Sequence, residues 1–217
     1  LKKKQISMKI ALFGATGRTG NEFLKMALND GHEVRALVRR PEKNSIQHPM
    51  LTLVKGDVLD PKAVEKAVAG AEIVVSLFGR VKDSPPFLQT NGTKNIVSAM
   101  QRQDVPRIIS LSGGGLPYPE QDKPGLMDRF IRLAMRTFAP GLLEDAIAHA
   151  DVLRQSGLSW VIVRGPRLTS EPARNRYRIG WVGVKGGMNL GRADLADFIL
   201  KLCKDKSYDG QMPFISY

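Results

Sequence analysis

The chain has 217 residues, enough for one domain with a sizeable core and short for two. Its apolar fraction of 42% is ordinary for a globular protein, and the single cysteine, Cys203, excludes an intrachain disulfide. The formal net charge is +12, yet the basic residues are scattered and not interleaved with aromatics. Composition therefore argues against nucleic acid and for an anionic cofactor, with an anionic substrate and a solvated basic surface taking up the rest.

Taken in order, Ile6 to Phe13 reads as a strand and Arg18 to Asn29 as a helix, with Gly14-Ala15-Thr16-Gly17-Arg18-Thr19-Gly20 between them. This is the strand–turn–helix setting of a dinucleotide-binding loop. Gly14 would allow the tight turn, Gly17 would let a phosphate approach the backbone, and Gly20 would let the helix pack closely on its strand. The diphosphate would sit on unpaired N–H groups at the helix start. Glu33 to Val38 is a second strand, nearly continuous in apolar residues toward its end, and Arg39-Arg40-Pro41-Glu42-Lys43 follows. A site preferring NAD carries an acidic residue about 20 residues past the glycines. Here that region is basic, so Arg39, Arg40 and Lys43 are candidates for a 2′-phosphate, and the expected cofactor is NADP(H). A solvated charged turn is the alternative reading of the same residues.

Leu51 to Val54 is a short strand, and Asp60 with Pro61 opens a helix to Val68. Asp57 lies where it would reach the adenine edge. Glu72 to Phe78 is a β-branched strand, after which Gly79 and Arg80 fall beside the cofactor path. A helix from about Pro86 to Gln103 leads to a strand, Arg107 to Leu111, and then to Ser112-Gly113-Gly114-Gly115. Catalytic side chains are expected to gather at that strand end. Residues 126–138 repeat apolar positions at helical spacing, as a pocket wall, a lid, a subunit contact or, by default, ordinary core packing. Pro140-Gly141 interrupts the run and Leu142 to Gln155 resumes it. Leu158 to Val163 is a strand, residues 169–190 read as loops and short strands over the site, Arg192 to about Cys203 is the last helix, and Gln211 to Ile215 the last strand. Seven strands alternating with helices make an α/β domain with a doubly wound, mostly parallel, Rossmann-like sheet.

These features together, with Gly56-Asp57-Val58, the Asn95-containing helix and Arg192-Ala193-Asp194-Leu195-Ala196, resemble the atypical short-chain dehydrogenase/reductases with one NAD(P)-binding domain. That group includes biliverdin-IXβ reductase, also called flavin reductase (NADPH), and NmrA-like proteins. The resemblance implies that Thr16 and Thr19 face the cofactor, that Arg39 and Lys43 hold the 2′-phosphate, and that Asp57 and Val58 line the adenine pocket. It implies that Phe78 and Gly79 pass the riboses, that Leu111 and Ser112 lie under the nicotinamide, and that Gly165 and Pro166 flank it. The departures are equally specific. Gly113 stands where the reductase has a serine, Arg167 where it has a histidine, and Ala146 and Ala150 where conventional members carry a tyrosine and, four residues later, a lysine.

The expected function is NADPH-dependent reduction of a flavin-like, quinone-like or linear tetrapyrrole acceptor. Ser112, Arg167 and, more weakly, Tyr118 are the catalytic candidates. An NmrA-like NADP(H) sensor without turnover is the alternative. His32, His48, His149 and Cys203 are too scattered for a metal site, and Cys203 reads as an inert buried thiol. Leu1-Lys2-Lys3-Lys4 is followed by no apolar signal core, and no apolar run approaches about 18 residues. The expectation is a cytoplasmic monomer or weak homodimer, with no membrane and a small conjugated acceptor as its partner.

Overall fold

The structure is a computed structural model that describes residues 7–43, 46–81, 83–184 and 186–217, though not the side chain of Lys43. Residues 1–6 of the expected opening stretch lie outside them. The opening strand β1 (Lys9–Phe13) is followed by α1 (Arg18–Asn29) and β2 (Glu33–Val38). Gly31, at φ +77°, supplies the left-handed turn that stops α1. After β3 (Leu51–Lys55), Asp60 Oδ1 accepts the Lys62 N–H at 2.9 Å and Pro61 takes the first position of α2 (Pro61–Val68). Then come β4 (Ile73–Ser76), α3 (Leu88–Arg102), β5 (Arg107–Gly113), α4 (Leu126–Phe138), α5 (Pro140–Arg154) and β6 (Ser159–Gly165). Three short strands, β7 (Arg167–Thr169), β8 (Arg178–Gly180) and β9 (Asn189–Gly191), precede α6 (Arg192–Leu202) and β10 (Phe214–Ser216).

The main sheet runs β3-β2-β1-β4-β5-β6-β10-β8, parallel except where β8 pairs with β10. Buried on both faces, its central strands are apolar without alternation: Ile73, Val74 and Val75 all reach the interior. One core packs α1 and α6 on the sheet through Phe23, Leu24, Phe198 and Ile199. The other packs α2, α3 and α5 on the opposite face through Val64, Ile96, Met100 and Leu153. Strand order reverses between β1 and β4, and at such a switch point the carboxyl ends of the strands open a crevice.

Two expectations change. Strand β5 continues through Ser112 and Gly113, which pair with Arg164 and Gly165 of an equally lengthened β6. Ser112 is thus held within the strand and not just past its end. Ordinary core packing of residues 126–138 is not what forms: none of the residues of α4 is buried.

Candidate functional site

The crevice divides into adjoining compartments. The first, about 300 Å³, is lined by Gly14, Thr16 and Gly17 of the loop after β1, by Arg39 after β2, and by Asp57 and Val58 after β3. Phe78 and Gly79 close it and pass into the second, an apolar cavity of about 280 Å³. That cavity is walled by Leu77, Leu111, Leu116, Met135, Leu143 and Leu168, with Arg80, Gln89 and Ser112 as its polar members. Gly165 and Pro166 complete it. A third space, about 570 Å³, opens on the far side of the loop between Thr16, Gly17, Arg18 and residues 170–173 and 192–193.

The glycines have separable duties. A methyl on Gly14, whose φ is +89°, would stand 2.5 Å from the Phe78 nitrogen, so this turn needs glycine on both conformational and spatial grounds. A methyl on Gly20 would run into the carbonyl oxygen of Gly14, so α1 can lie this close to the loop only without a side chain there. Gly17 has φ −73°, which any residue adopts, and its methyl would meet only Gly14 O at 3.2 Å. Among the described residues no side chain caps α1, and its first turn holds no acidic residue. The positive end of the helix dipole is therefore left uncompensated at Gly17 and Arg18, which line the crevice and the third space.

In the first compartment, Asp57 Oδ1 accepts the Leu59 N–H at 2.9 Å, fixing the turn that presents Val58. Asn95 Nδ2 donates to Val58 O at 3.0 Å, and a methyl on Gly92 would stand 2.7 Å from Phe78 and 2.8 Å from Val58. Arg39 and Arg40 are both exposed, but only Arg39 lines the compartment. The Lys43 side chain lies outside the described residues. Thr19 is buried and, unlike Thr16, does not line the crevice.

Of the catalytic candidates, only Ser112 lies in the cavity. Its hydroxyl is buried and, among the described residues, has no hydrogen-bond partner. An orphaned buried hydroxyl costs free energy, so this one is available to a ligand atom. Gln89, which the sequence did not single out, beside it donates from Nε2 to Leu111 O at 2.9 Å. Arg167 is a correction: it is exposed on β7, and the strand's alternation turns its neighbour Leu168 to the cavity instead. Among the described residues, Arg80 is the cation that lines the cavity. Tyr118 is a second correction. It is buried in the core, 5.6 Å from the Trp181 ring centroid, with the Arg164 guanidinium 5.6 Å over its own ring.

Arg164 explains that placement. It is fully buried and grips Asp122 through two contacts of 2.8 Å, while Asp122 accepts the N–H groups of Tyr118 and Val182. Arg164 Nη1 also donates to Leu116 O at 2.9 Å, so this pair holds one cavity wall. Beneath the cavity, Ser110 Oγ meets His149 Nε2 at 2.9 Å, and Asp145 on the same helix accepts the N–H groups of Gln89 and Thr90, capping α3 from outside. Burial, partly offset by Asp145 and the Ala146 backbone, pushes the His149 pKa down to about 4. Arg192, buried at the rim of the third space, donates to Ser170 Oγ at 2.9 Å. Burial first and the Arg18 charge second lower its pKa. Only its place at the head of the Arg192-Ala193-Asp194-Leu195-Ala196 segment drew attention to it in the sequence. Cys203 is buried, as expected, and desolvation raises its thiol to about 12.

A glycine loop set against a helix start at the switch point of a doubly wound sheet defines a dinucleotide-binding oxidoreductase-like domain. The chain belongs to the NAD(P)H-binding family, which it matches over residues 14–206. It is similar to the uncharacterized protein YwnB of Bacillus subtilis, 27% identical over 201 residues, covering 89% of this chain and 91% of that one. In fold it is similar to a short-chain dehydrogenase/reductase of Veillonella parvula solved in complex with NADP: TM-score 0.78, 20% identity, 98% of this chain and 95% of that one. An anaerobillin reductase of Escherichia coli O157:H7 is comparably similar, with TM-score 0.76, 18% identity and 96% of each chain covered.

Proposed function

We propose that the protein is an NADPH-dependent reductase that delivers hydride to a flavin-like, quinone-like or linear tetrapyrrole acceptor. One observation carries the reading: the apolar cavity shares Leu77, Phe78 and Gly79 with the first compartment and holds the Ser112 hydroxyl, which has no partner among the described residues. The residues present suit the cofactor. The Gly14–Gly20 loop and the first amides of α1 would hold the diphosphate, Arg39 the 2′-phosphate, and Asp57 and Val58 the adenine. When bound, the nicotinamide supplies the hydride. The chain's part is to position and to exclude water. Leu116, Met135 and Leu143 shield the cavity, Ser112 orients the carboxamide or the acceptor, and Arg80 attracts an acceptor carboxylate or phosphate. Helix α5 presents Ala146 to the cavity, so no phenol delivers a proton there. A conjugated acceptor needs none, because its ring nitrogens or oxygens take protons from bulk water once the reduced product leaves the cavity.

The test is a steady-state screen of NADPH and NADH against FMN, riboflavin, biliverdin and a quinone. Turnover is expected with NADPH and at least one acceptor. Ser112→Ala should lower kcat about tenfold and leave NADPH affinity nearly unchanged, the cost of one hydrogen bond made at the reacting end. Unequal binding of NADPH and NADP⁺ with no turnover on any acceptor would instead establish the sensor reading. Arg39→Ala, measured by titration, should weaken NADPH about 10- to 100-fold and leave NADH as it was, since only the former carries the phosphate that a charged hydrogen bond would hold. Equal losses would remove Arg39 from that role.

A further inference from the structure

Helix α4 is built inside out. Leu126, Met127, Phe130, Leu133 and Phe138 share one broad face at helical spacing, and that face is the exposed one: Leu126 is 86% exposed, Phe130 67%, Leu133 62% and Phe138 87%. The half-covered side, turned to the domain, carries Asp128, Arg132 and Met135. Scattered apolar residues on a surface are normal, but a contiguous apolar face is the mark of an interaction site.

The charges say what covers it. Arg129 and Arg136 are exposed along the edge of the apolar face, on a chain of net charge +12. Two copies apposed antiparallel through this face would bring those arginines together, whereas anionic headgroups would match them. At 13 residues, roughly 20 Å, the helix is too short to span a bilayer, and among the described residues no helix is long and apolar enough to cross one. An apolar face with arginines at its border is the pattern of a helix lying in the interface plane. We propose that α4 docks the protein on an anionic bilayer, its apolar face sunk among the acyl chains. Resting on the reductase reading, docking would hold the acceptor cavity, which Met135 lines from the domain side of α4, close to the bilayer surface.

The test is co-sedimentation of the full chain with vesicles of phosphatidylcholine alone or mixed with phosphatidylglycerol. Binding is expected to the mixed vesicles only and to weaken as salt rises. Arg129→Gln with Arg136→Gln should weaken it about thirtyfold, near fivefold for each charge. Phe130→Glu should abolish it while thermal stability and NADPH oxidation with a water-soluble acceptor stay unchanged, because Phe130 is outside the cavity. No sedimentation, equal sedimentation with neutral vesicles, or a concentration-dependent dimer that Phe130→Glu dissolves would each overturn the proposal. Sedimentation needs no turnover, so membrane docking can fail while the reductase reading stands, and the reverse.

Discussion

Gly20→Ala is expected to unfold the protein at lower denaturant and to abolish nucleotide binding together. The added methyl runs into the carbonyl oxygen of Gly14 and stands 2.8 Å from its carbonyl carbon. Both atoms are backbone, and Gly14 is itself wedged against Phe78 N, so the strain cannot be shed by rotating a side chain. Helix α1 must back away, at a cost of about 3 kcal/mol, the upper part of the usual range for overpacking. Its amides then leave the place where the diphosphate would rest. Gly17→Ala is the informative contrast. The conformation there suits alanine and the nearest protein atom is 3.2 Å away, so stability should change little while nucleotide affinity falls steeply. Denaturant unfolding and nucleotide titration on both variants check this. Undiminished nucleotide binding by Gly17→Ala would mean that nothing approaches the loop.

The second large effect is acid sensitivity. His149 is fully buried and neutral, with a folded pKa of about 4 against an ordinary 6.5. Between those values the unfolded chain binds a proton that the folded one refuses, so stability rises with pH across that window. It is complete above about 6.5 and is lost as the pH falls toward 4. At about 1.4 kcal/mol per pKa unit the loss is roughly 3 kcal/mol. His32, also buried and shifted down by desolvation, acts in the same direction. Denaturant unfolding of wild type and His149→Gln at pH 4.5 and 7 isolates the first contribution. The glutamine amide can still reach Ser110, so the variant should lose much less stability on acidification. An identical loss in both would show that His149 does not carry it.

Much of this was legible in the chain. Helices α1, α2 and α4 begin and end where the residues said, because Gly17 and Asp30-Gly31 bracket the first and Asp60-Pro61 opens the second. The loop after β1 announced itself through glycines whose spacing has a steric meaning. What stayed hidden depends on partners distant in sequence. The short β7 and β9 exist through pairing with each other, and that pairing turns Leu168, and not Arg167, toward the cavity. Tyr118 is drawn inward by Asp122 and Arg164, a bond between residues 42 apart. Periodicity gave α4 its amphipathic pattern but carries no information about which face the domain will cover.

The most direct measurement is a crystal structure of the NADPH complex, grown after a fluorescence titration has established binding. The expected result is the diphosphate on the backbone of residues 14–20 at the start of α1, the adenosine phosphate at Arg39, and the nicotinamide beside Ser112. A nucleotide seated elsewhere, or none held at all, would contradict the account.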